Sequence, residues 1–180
     1  MELRIGNGYD IHRLIFGRKL FIGGIEIPFE KGLLGHSDGD CVCHSITDAL
    51  LGALALANIG QFFPNEDPET NGMDSKQILK TIHEREILSR SYSIINIDST
   101  IIAQEPKLAP HIEKMRTTLG EILNISSDCL GIKATTNEGL DSIGQGEAIA
   151  CYSVCLLKKI EIKIPDKNIF TGNENFNAKL

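Results

Sequence analysis

The sequence lacks the features that would assign it to several broad classes of protein. It has no tryptophan, and its 18 basic residues are outnumbered by 24 acidic ones, which gives a net charge of −6. Nucleic acids and anionic membranes both need a basic surface, so neither is expected as a main partner. The apolar runs are too short to span a membrane, and the N-terminus MELRIGNGYD has no secretory-signal pattern.

Cysteine is scarce and does not follow the spacing of a disulfide framework. There are five cysteines, an odd number, and we predict that they are reduced thiols in a cytoplasmic protein. Two of them lie in the stretch CVCH, which lacks the two-residue gap of a haem-attachment motif. Cys41 and Cys43 would point away from each other on a helix, so we interpret both as small buried side chains.

The composition is that of one globular domain. The chain has 180 residues, of which 42% are apolar and 23% are charged. Apolar alternation or β-branched residues predict strands at residues 2–12 and in YSIINIDSTIIA, CLGIKATT and EAIACYSVCLLKK, and two short strands around the Gly-Gly pair of LFIGGIEIPFEKG. Helices are predicted from Asp40 to about Asn58, from Asp74 or Ser75 to about Ser89, and from Pro110 to about Asn124.

This order of elements predicts an α+β fold with a mixed four-stranded sheet, helices on one face and a small β-hairpin. The last strand is apolar on both faces, which is typical of a central strand. We assign residues 1–159 to the domain. Residues 160–180 form a C-terminal tail whose polar composition is typical of disordered segments.

Acids and imidazoles cluster near one predicted strand and the helix that follows it. Asp10 and His12 share a face of the strand, roughly 6.6 Å apart, and His44 in the first turns of the helix could supply a third ligand. Three such ligands suit zinc and leave one position open. Asp48, one helical turn later, could orient the His44 ring, as could a backbone carbonyl. Helix caps and solvated surface groups explain these residues equally well on spacing alone.

A second polar group follows the predicted strand CLGIKATT. Thr135 and Thr136 can donate hydrogen bonds to phosphate oxygens, and Glu138 can hold Mg²⁺ against the same phosphates. Lys107 follows another strand, where its ammonium could reach a phosphate. A solvated turn and a solvated lysine are the alternatives.

With these residues in place, the chain resembles the 2-C-methyl-D-erythritol 2,4-cyclodiphosphate synthase family. The resemblance covers residues 3–158 and rests on many ordered blocks at the family's spacing. These blocks are RIGNGYDIH, IGGIEIP, EKGLLGHSDGD, DALLGA, IGQFFPNEDP, DSTIIAQEPKLAPHI, IKATTNEGL and GQGEAIAC.

The resemblance implies a lyase of the non-mevalonate isoprenoid pathway that acts as a homotrimer, with active sites between neighbouring subunits. In this family the 2-phosphate of 4-diphosphocytidyl-2-C-methyl-D-erythritol 2-phosphate attacks the β-phosphate, which forms the cyclodiphosphate and releases CMP. The resemblance implies zinc at Asp10, His12 and His44 and a second ion, Mg²⁺ or Mn²⁺, at Glu138. His36 and Thr136 match the positions that stabilise the transition state.

The resemblance also implies a set of substrate-binding residues. Those for the erythritol phosphate end are Ser37, Asn58, Ile59, Gly60, Phe63, Pro64, Asn65, Glu66 and Asp67. Those for the cytidine diphosphate end are Ala103, Gln104, Glu105, Pro106, Lys107, Leu108, Ala109, Thr135 and Asn137, together with Thr136 and Glu138. Ser142 and Gln145 match positions near the trimer axis.

Four positions depart from the family's usual residues. Asn58 replaces an Asp and so keeps an acceptor but loses the charge, while Asn137 replaces a Thr. Ser142 and Gln145 stand where an aromatic residue and an Arg are usual, which puts anion or isoprenoid-diphosphate binding in a central cavity in doubt.

Three other functions are compatible with parts of the sequence. A metal-dependent phosphohydrolase would use the same zinc site with water as the nucleophile. A non-catalytic zinc-binding or nucleotide-binding subunit would need a closed site with four ligands. A trimeric partner for neighbouring pathway enzymes rests on no particular residue.

Overall fold

The computed structural model describes residues 1–64 and 72–160. The strands are β1 (Leu3–Phe16), β2 (Leu20–Ile22), β3 (Ile25–Ile27), β4 (Lys31–Leu33), β5 (Tyr92–Ile102), β6 (Leu130–Thr135) and β7 (Ala148–Lys159). The helices are α1 (Cys41–Ala53), α2 (Ile59–Phe62), α3 (Ser75–Ile82), α4 (Ile112–Leu123) and α5 (Asp141–Gly144). A π-helical turn over His83–Leu88 extends α3, and 3₁₀ turns lie at Ala109–His111 and Ser127–Cys129. No helix in these two described ranges has the length and apolar character needed to cross a membrane.

One mixed sheet of the predicted α+β fold organises the chain. Its strand order is β4-β1-β7-β5-β6, with β5 and β6 parallel and the other neighbours antiparallel. Strand β7 is central, as its apolar character predicted, and β2 pairs with β3 in the expected hairpin. The prediction of four strands was wrong, because the three-residue strand β4 adds a fifth at the edge. Three residues are too few to show an alternation in the sequence.

Helix α1 covers the inner face of the sheet and lies unusually close to β1. A Cβ atom added at Gly6 would lie 2.0 Å from the Ala49 carbonyl oxygen, and one added at Gly8 would lie 2.0 Å from the Ser45 carbonyl oxygen. The two glycines share one face of the strand, so the backbone of the helix rests directly on the backbone of the strand. The position of α1 is therefore set by main-chain contact.

Asp40 joins the start of α1 to the β2–β3 hairpin. Its buried carboxylate accepts hydrogen bonds from the backbone N–H groups of Val42 and Cys43, at 3.0 and 3.1 Å, and so caps the helix. It also accepts from the N–H groups of Gly23 and Gly24 in the hairpin turn, at 2.9 and 2.6 Å. A single side chain thus anchors two elements that contact each other little otherwise.

The outer face of the sheet is only partly covered. Helix α5 places Ile143 against Ala148 and Ala150 at one end of this face. The prediction that all helices lie on one face of the sheet was therefore wrong. Further along the same face Tyr9 and Tyr152 are 43% and 55% exposed, with ring centroids 4.5 Å apart. A sheet face with exposed aromatic and β-branched residues is typical of a protein interface. All of the predicted tail except Ile160 lies outside the described residues.

We predict that Gly8→Ala lowers the free energy of unfolding by about 2 kcal/mol or more, because the new methyl group meets helix backbone that cannot rotate away. Urea unfolding at one protein concentration measures the change. The matched control is Gly52→Ala in α1, where the nearest atom would be 3.5 Å away and we expect stability to be kept or raised by up to about 1 kcal/mol. Equal stability of Gly8→Ala and the native protein would contradict the close-packing argument.

Candidate active site

Three side chains bring one ligand atom each to a single point. Asp10 Oδ2 lies 2.9 Å from His12 Nε2 and 2.9 Å from His44 Nδ1, and the two imidazole nitrogens are 3.2 Å apart. Ligands held about 2.0–2.1 Å from a tetrahedral ion lie roughly 3.3 Å from one another. The spacing of the three atoms therefore fits a divalent ion, and so does the donor set of one carboxylate and two imidazoles.

The fold explains why these three residues meet. Asp10 and His12 continue the face of β1 that carries Gly6 and Gly8. Because the glycines bring α1 onto that face, His44 in the first turn of the helix comes within hydrogen-bonding distance of Asp10. The predicted metal ligands are thus brought together by the contact between the strand and the helix.

The groups around His12 and Asp10 favour the protonation states that bind a cation. The Nδ1 atom of His12 lies 2.7 Å from the carbonyl oxygen of Leu34, which can only accept a hydrogen bond. The ring proton therefore lies on Nδ1, and Nε2 presents a lone pair to the cluster. Burial alone raises the pKa of Asp10, but His12 and His44 beside it, in their protonated forms, outweigh burial and hold the pKa of this carboxyl well below its usual range.

The cluster opens into a cleft of roughly 740 Å³. Besides Asp10, His12 and His44, the cleft is lined by the sequence-predicted residues His36, Ser37, Asp48, Asn58, Ile59, Gly60 and Phe63, and by Leu34, Gly35 and Ile78. Three protein ligands facing an open cleft leave room for a substrate atom at the ion, which is the arrangement of a catalytic site. Pro64 is the last residue before the gap, and the predicted Asn65, Glu66 and Asp67 lie outside the described residues.

Asp48 lines the cleft but does not make the contact that was predicted for it. Its Oδ1 atom accepts a hydrogen bond of 2.7 Å from the backbone N–H of Ile59, at the start of α2. The far nitrogen of His44 instead contacts the hydroxyl groups of Ser37 and Ser75. The prediction that Asp48 orients His44 was wrong, because the free N–H groups of a helix start compete for a nearby carboxylate.

Sequence reasoning missed two residues that shape the cleft. Arg18 donates hydrogen bonds of 3.0 and 2.7 Å to the carbonyl oxygens of Gly35 and Ser37, which fixes the loop that carries His36. Ser75, the first residue of α3, contacts His44 Nε2, the ring nitrogen that faces away from Asp10. Neither residue had a signal in the sequence, because Arg18 is 17 and 19 positions from its two partners and Ser75 is 31 positions from His44.

The remaining predicted residues form a second group at the same end of the sheet. Ala103 donates a hydrogen bond to the carbonyl oxygen of Thr135, so the ends of β5 and β6 are joined. In the strand register, Thr135 lies in one row with Ile102, Ala150 and Ile11. Three strand spacings separate Thr135 from β1, a distance of about 14 Å. None of the residues from Ala103 to Ala109 or from Thr135 to Glu138 lines the cleft at Asp10.

The loop after β6 has a defined internal structure. Thr136 donates a hydrogen bond of 2.9 Å to the Glu138 carboxylate, and Glu138 has a positive φ of 51°. Asn137 donates to the Leu140 carbonyl oxygen and to the Asp141 carboxylate, at 3.2 and 2.8 Å. Of the two residues predicted near a trimer axis, Ser142 lies in α5 and Gln145 directly follows it. The single chain therefore carries the predicted site as two separate groups of residues.

A mixed α+β domain with an open cluster of metal ligands in a cleft defines a candidate metal-dependent enzyme. The particular family is given by comparison with known proteins. The family model of the YgbB family matches residues 3–158, and the chain belongs to this family.

Curated relatives match nearly the whole described chain. The 2-C-methyl-D-erythritol 2,4-cyclodiphosphate synthase of Clostridioides difficile is 54% identical over 155 residues, which are 86% of this chain and 96% of the relative. The enzyme of the same name from Chloroherpeton thalassium is 50% identical over 159 residues, which are 88% of this chain and 100% of the relative.

Solved structures share the fold. A 2C-methyl-D-erythritol-2,4-cyclodiphosphate synthase in a CDP-bound form is 35% identical with a TM-score of 0.79, covering 86% of this chain and 100% of that one. The bifunctional IspDF of Campylobacter jejuni is 37% identical with a TM-score of 0.83, covering 89% of this chain and 43% of that one.

We predict that the protein binds about one equivalent of Co²⁺, added as an optical probe, with the absorption of a tetrahedral nitrogen and oxygen site. His44→Ala removes a ligand, so we expect it to lose this absorption. His36→Ala is the matched control, because His36 lines the same cleft without belonging to the ligand cluster. Retention of the tetrahedral absorption by His44→Ala would refute the assignment of the ligands.

Proposed function

We propose that this chain converts 4-diphosphocytidyl-2-C-methyl-D-erythritol 2-phosphate to 2-C-methyl-D-erythritol 2,4-cyclodiphosphate and CMP, and that it is a phosphorus–oxygen lyase. The observation that carries the proposal is the convergence of Asp10, His12 and His44 at the wall of an open cleft. Membership of a family whose curated relatives bear the name of this synthase supports the choice of substrate.

The residues present fit the metals that this reaction needs. One carboxylate and two imidazoles suit Zn²⁺ at Asp10, His12 and His44, and the carboxylate of Glu138 suits Mg²⁺ or Mn²⁺. When bound, these ions supply positive charge against the phosphate groups and polarise the phosphorus that is attacked. This contribution explains how a chain with a net charge of −6 takes a strongly anionic substrate.

The task of the protein side chains is to bind and orient the substrate. The attacking 2-phosphate is already ionised at neutral pH, so no general base is required. Holding both ends of one molecule makes the attack intramolecular and correctly oriented. His36 is exposed in the cleft loop and can donate to a phosphate oxygen, and the amide of Asn58, which lines the same cleft, can bind the erythritol hydroxyls.

A complete site needs residues from the second group. Thr136 and Glu138 follow β6, about 14 Å from β1 by strand spacing, and they do not line the cleft of their own chain. We therefore assign the second half of each site to a neighbouring copy in a homotrimer. The exposed outer face of the sheet at Ile5, Tyr9 and Tyr152 supports this assembly, because association would remove these side chains from water.

We predict that phosphorus NMR of the purified protein with the substrate shows coupled cyclic-diphosphate signals and an equal amount of CMP. Both should disappear on chelation and return when zinc and magnesium are restored, because the ions offset the repulsion between the phosphates. Open-chain phosphate products would instead identify a phosphohydrolase that uses the same cleft. Unchanged substrate in the presence of both metals would favour a non-catalytic binding protein.

We predict that two inactive variants restore each other's activity when they are mixed. His44→Ala disables the metal half of a site and Glu138→Gln the other half, so mixed trimers contain some sites with both halves intact. Random mixing in equal amounts should restore about a quarter of the native activity if neighbouring copies share each site. Reassembly of each variant with itself is the control. A mixture as inactive as its components would contradict a shared site.

A further inference from the structure

The two histidines of the metal cluster hold their far ring nitrogens in different ways. His12 faces a carbonyl oxygen, which can only accept, so its proton is placed without ambiguity. His44 Nε2 faces two hydroxyl groups, Ser75 Oγ at 2.9 Å and Ser37 Oγ at 3.1 Å. A hydroxyl can donate or accept, so these two contacts alone do not determine which nitrogen of His44 carries the proton.

The position of that proton decides whether His44 can bind a metal. Its Nδ1 atom is the one that converges with Asp10 and His12. If a hydroxyl donated to Nε2, the neutral ring would carry its proton on Nδ1 and the ligand atom would be blocked. The Asp10 carboxylate, 2.9 Å from Nδ1, favours that unproductive tautomer in the absence of a cation. A group that accepts an N–H from Nε2 would favour the productive tautomer.

Asp38 removes the ambiguity by its contact with Ser75. The Ser75 hydroxyl donates a hydrogen bond to Asp38 Oδ1, and the Ser75 backbone N–H donates to Asp38 Oδ2 at 3.2 Å. A serine hydroxyl has one hydrogen, and an ionised carboxylate can only accept. Because its hydrogen is donated to Asp38, Ser75 Oγ can act only as an acceptor towards His44. The contact between them is therefore a hydrogen bond from the His44 Nε2–H to Ser75 Oγ.

Burial makes it hard for water to replace the contact between Ser75 and His44. Ser75 is fully buried and His44 is 9% exposed, so water has little access to the ring nitrogen on this side. Ser37 Oγ accepts a hydrogen bond of 3.1 Å from the Gly39 N–H, but no carboxylate takes its own hydrogen in the described contacts. Ser37 could thus serve either tautomer, whereas Ser75 serves only one.

We propose that Asp38 and Ser75 form a relay that holds the proton of His44 on Nε2 and so keeps Nδ1 available as a metal ligand. Both are positioning residues, because they act through His44 and do not touch the ion. The proposal rests on the metal site of the proposed function and is independent of the reaction that the site catalyses. It also gives α3 a role, since Ser75 is the first residue of that helix.

The relay is tested first by zinc affinity, measured with Zn²⁺ alone against a competing chelator. Ser75→Ala removes the acceptor, and Asp38→Ala removes the carboxylate that takes the Ser75 hydrogen, which frees that hydrogen to point at His44. We expect both to weaken zinc binding by about 10–100-fold, the usual effect of losing the partner of a ligating histidine. The matched variant Ser37→Ala removes a hydroxyl from the same nitrogen and a 3.4 Å contact with Ser75, but it keeps the contact between Ser75 and Asp38 and should change affinity much less.

A spectroscopic measurement separates the relay from general damage. In zinc-loaded protein labelled with ¹⁵N-histidine, the native chain should show an exchange-protected Nε2–H signal for His44, and Ser75→Ala should lose it. The Nδ1–H signal of His12, bonded to Leu34, is the internal reference and should persist. Urea unfolding of the metal-free variants verifies that they are folded.

The outcomes are distinguishable. Native zinc affinity in Ser75→Ala and Asp38→Ala, or weakened affinity with an unchanged His44 Nε2–H signal, would overturn the relay while leaving the metal site in place. Failure of the native protein to bind zinc would overturn the metal site and the relay together.

Discussion

The close approach of α1 to β1 is the constraint on which the site depends. Gly6 and Gly8 leave no side chain between the strand and the carbonyl oxygens of Ala49 and Ser45. Had either residue carried a Cβ, the helix would have to move outward and His44 would leave Asp10. The 2.9 Å contact between Asp10 and His44 is therefore a consequence of backbone packing two to four residues away. Stability and metal binding are coupled here by geometry.

Much of the fold and of the metal cluster could be predicted because both depend on local periodicity. Asp10 and His12 share a strand face by the alternation of side chains, and Asp40 marks the start of the helix that delivers His44. The Gly-Gly pair predicted the turn between β2 and β3, and both of its residues have a positive φ. In each case the signal lies within a few residues of the feature it predicts.

The parts that could not be predicted depend on contacts between distant segments. Ser75 reaches His44 across 31 positions, and Arg18 reaches Ser37 across 19, so no short pattern contains either pair. Asp48 was assigned to the wrong partner because helical spacing places it near His44 but does not reveal the unpaired N–H of Ile59. Strand β4 was missed because its pairing with β1, rather than its own sequence, makes it a strand.

The four aspartates near His44 have different roles. Asp10 faces the ligand atom of His44, whereas Asp38 faces the hydroxyl on the other side of the ring. Asp40 caps α1 and holds the hairpin, and Asp48 holds the start of α2. Since three of these four carboxylates are bound to N–H or O–H groups of the protein, Asp10 is left to face a cation directly. The proposed route by which an acidic chain binds an anionic substrate is therefore a cation at Asp10, while the other three carboxylates hold N–H and O–H groups of the protein itself.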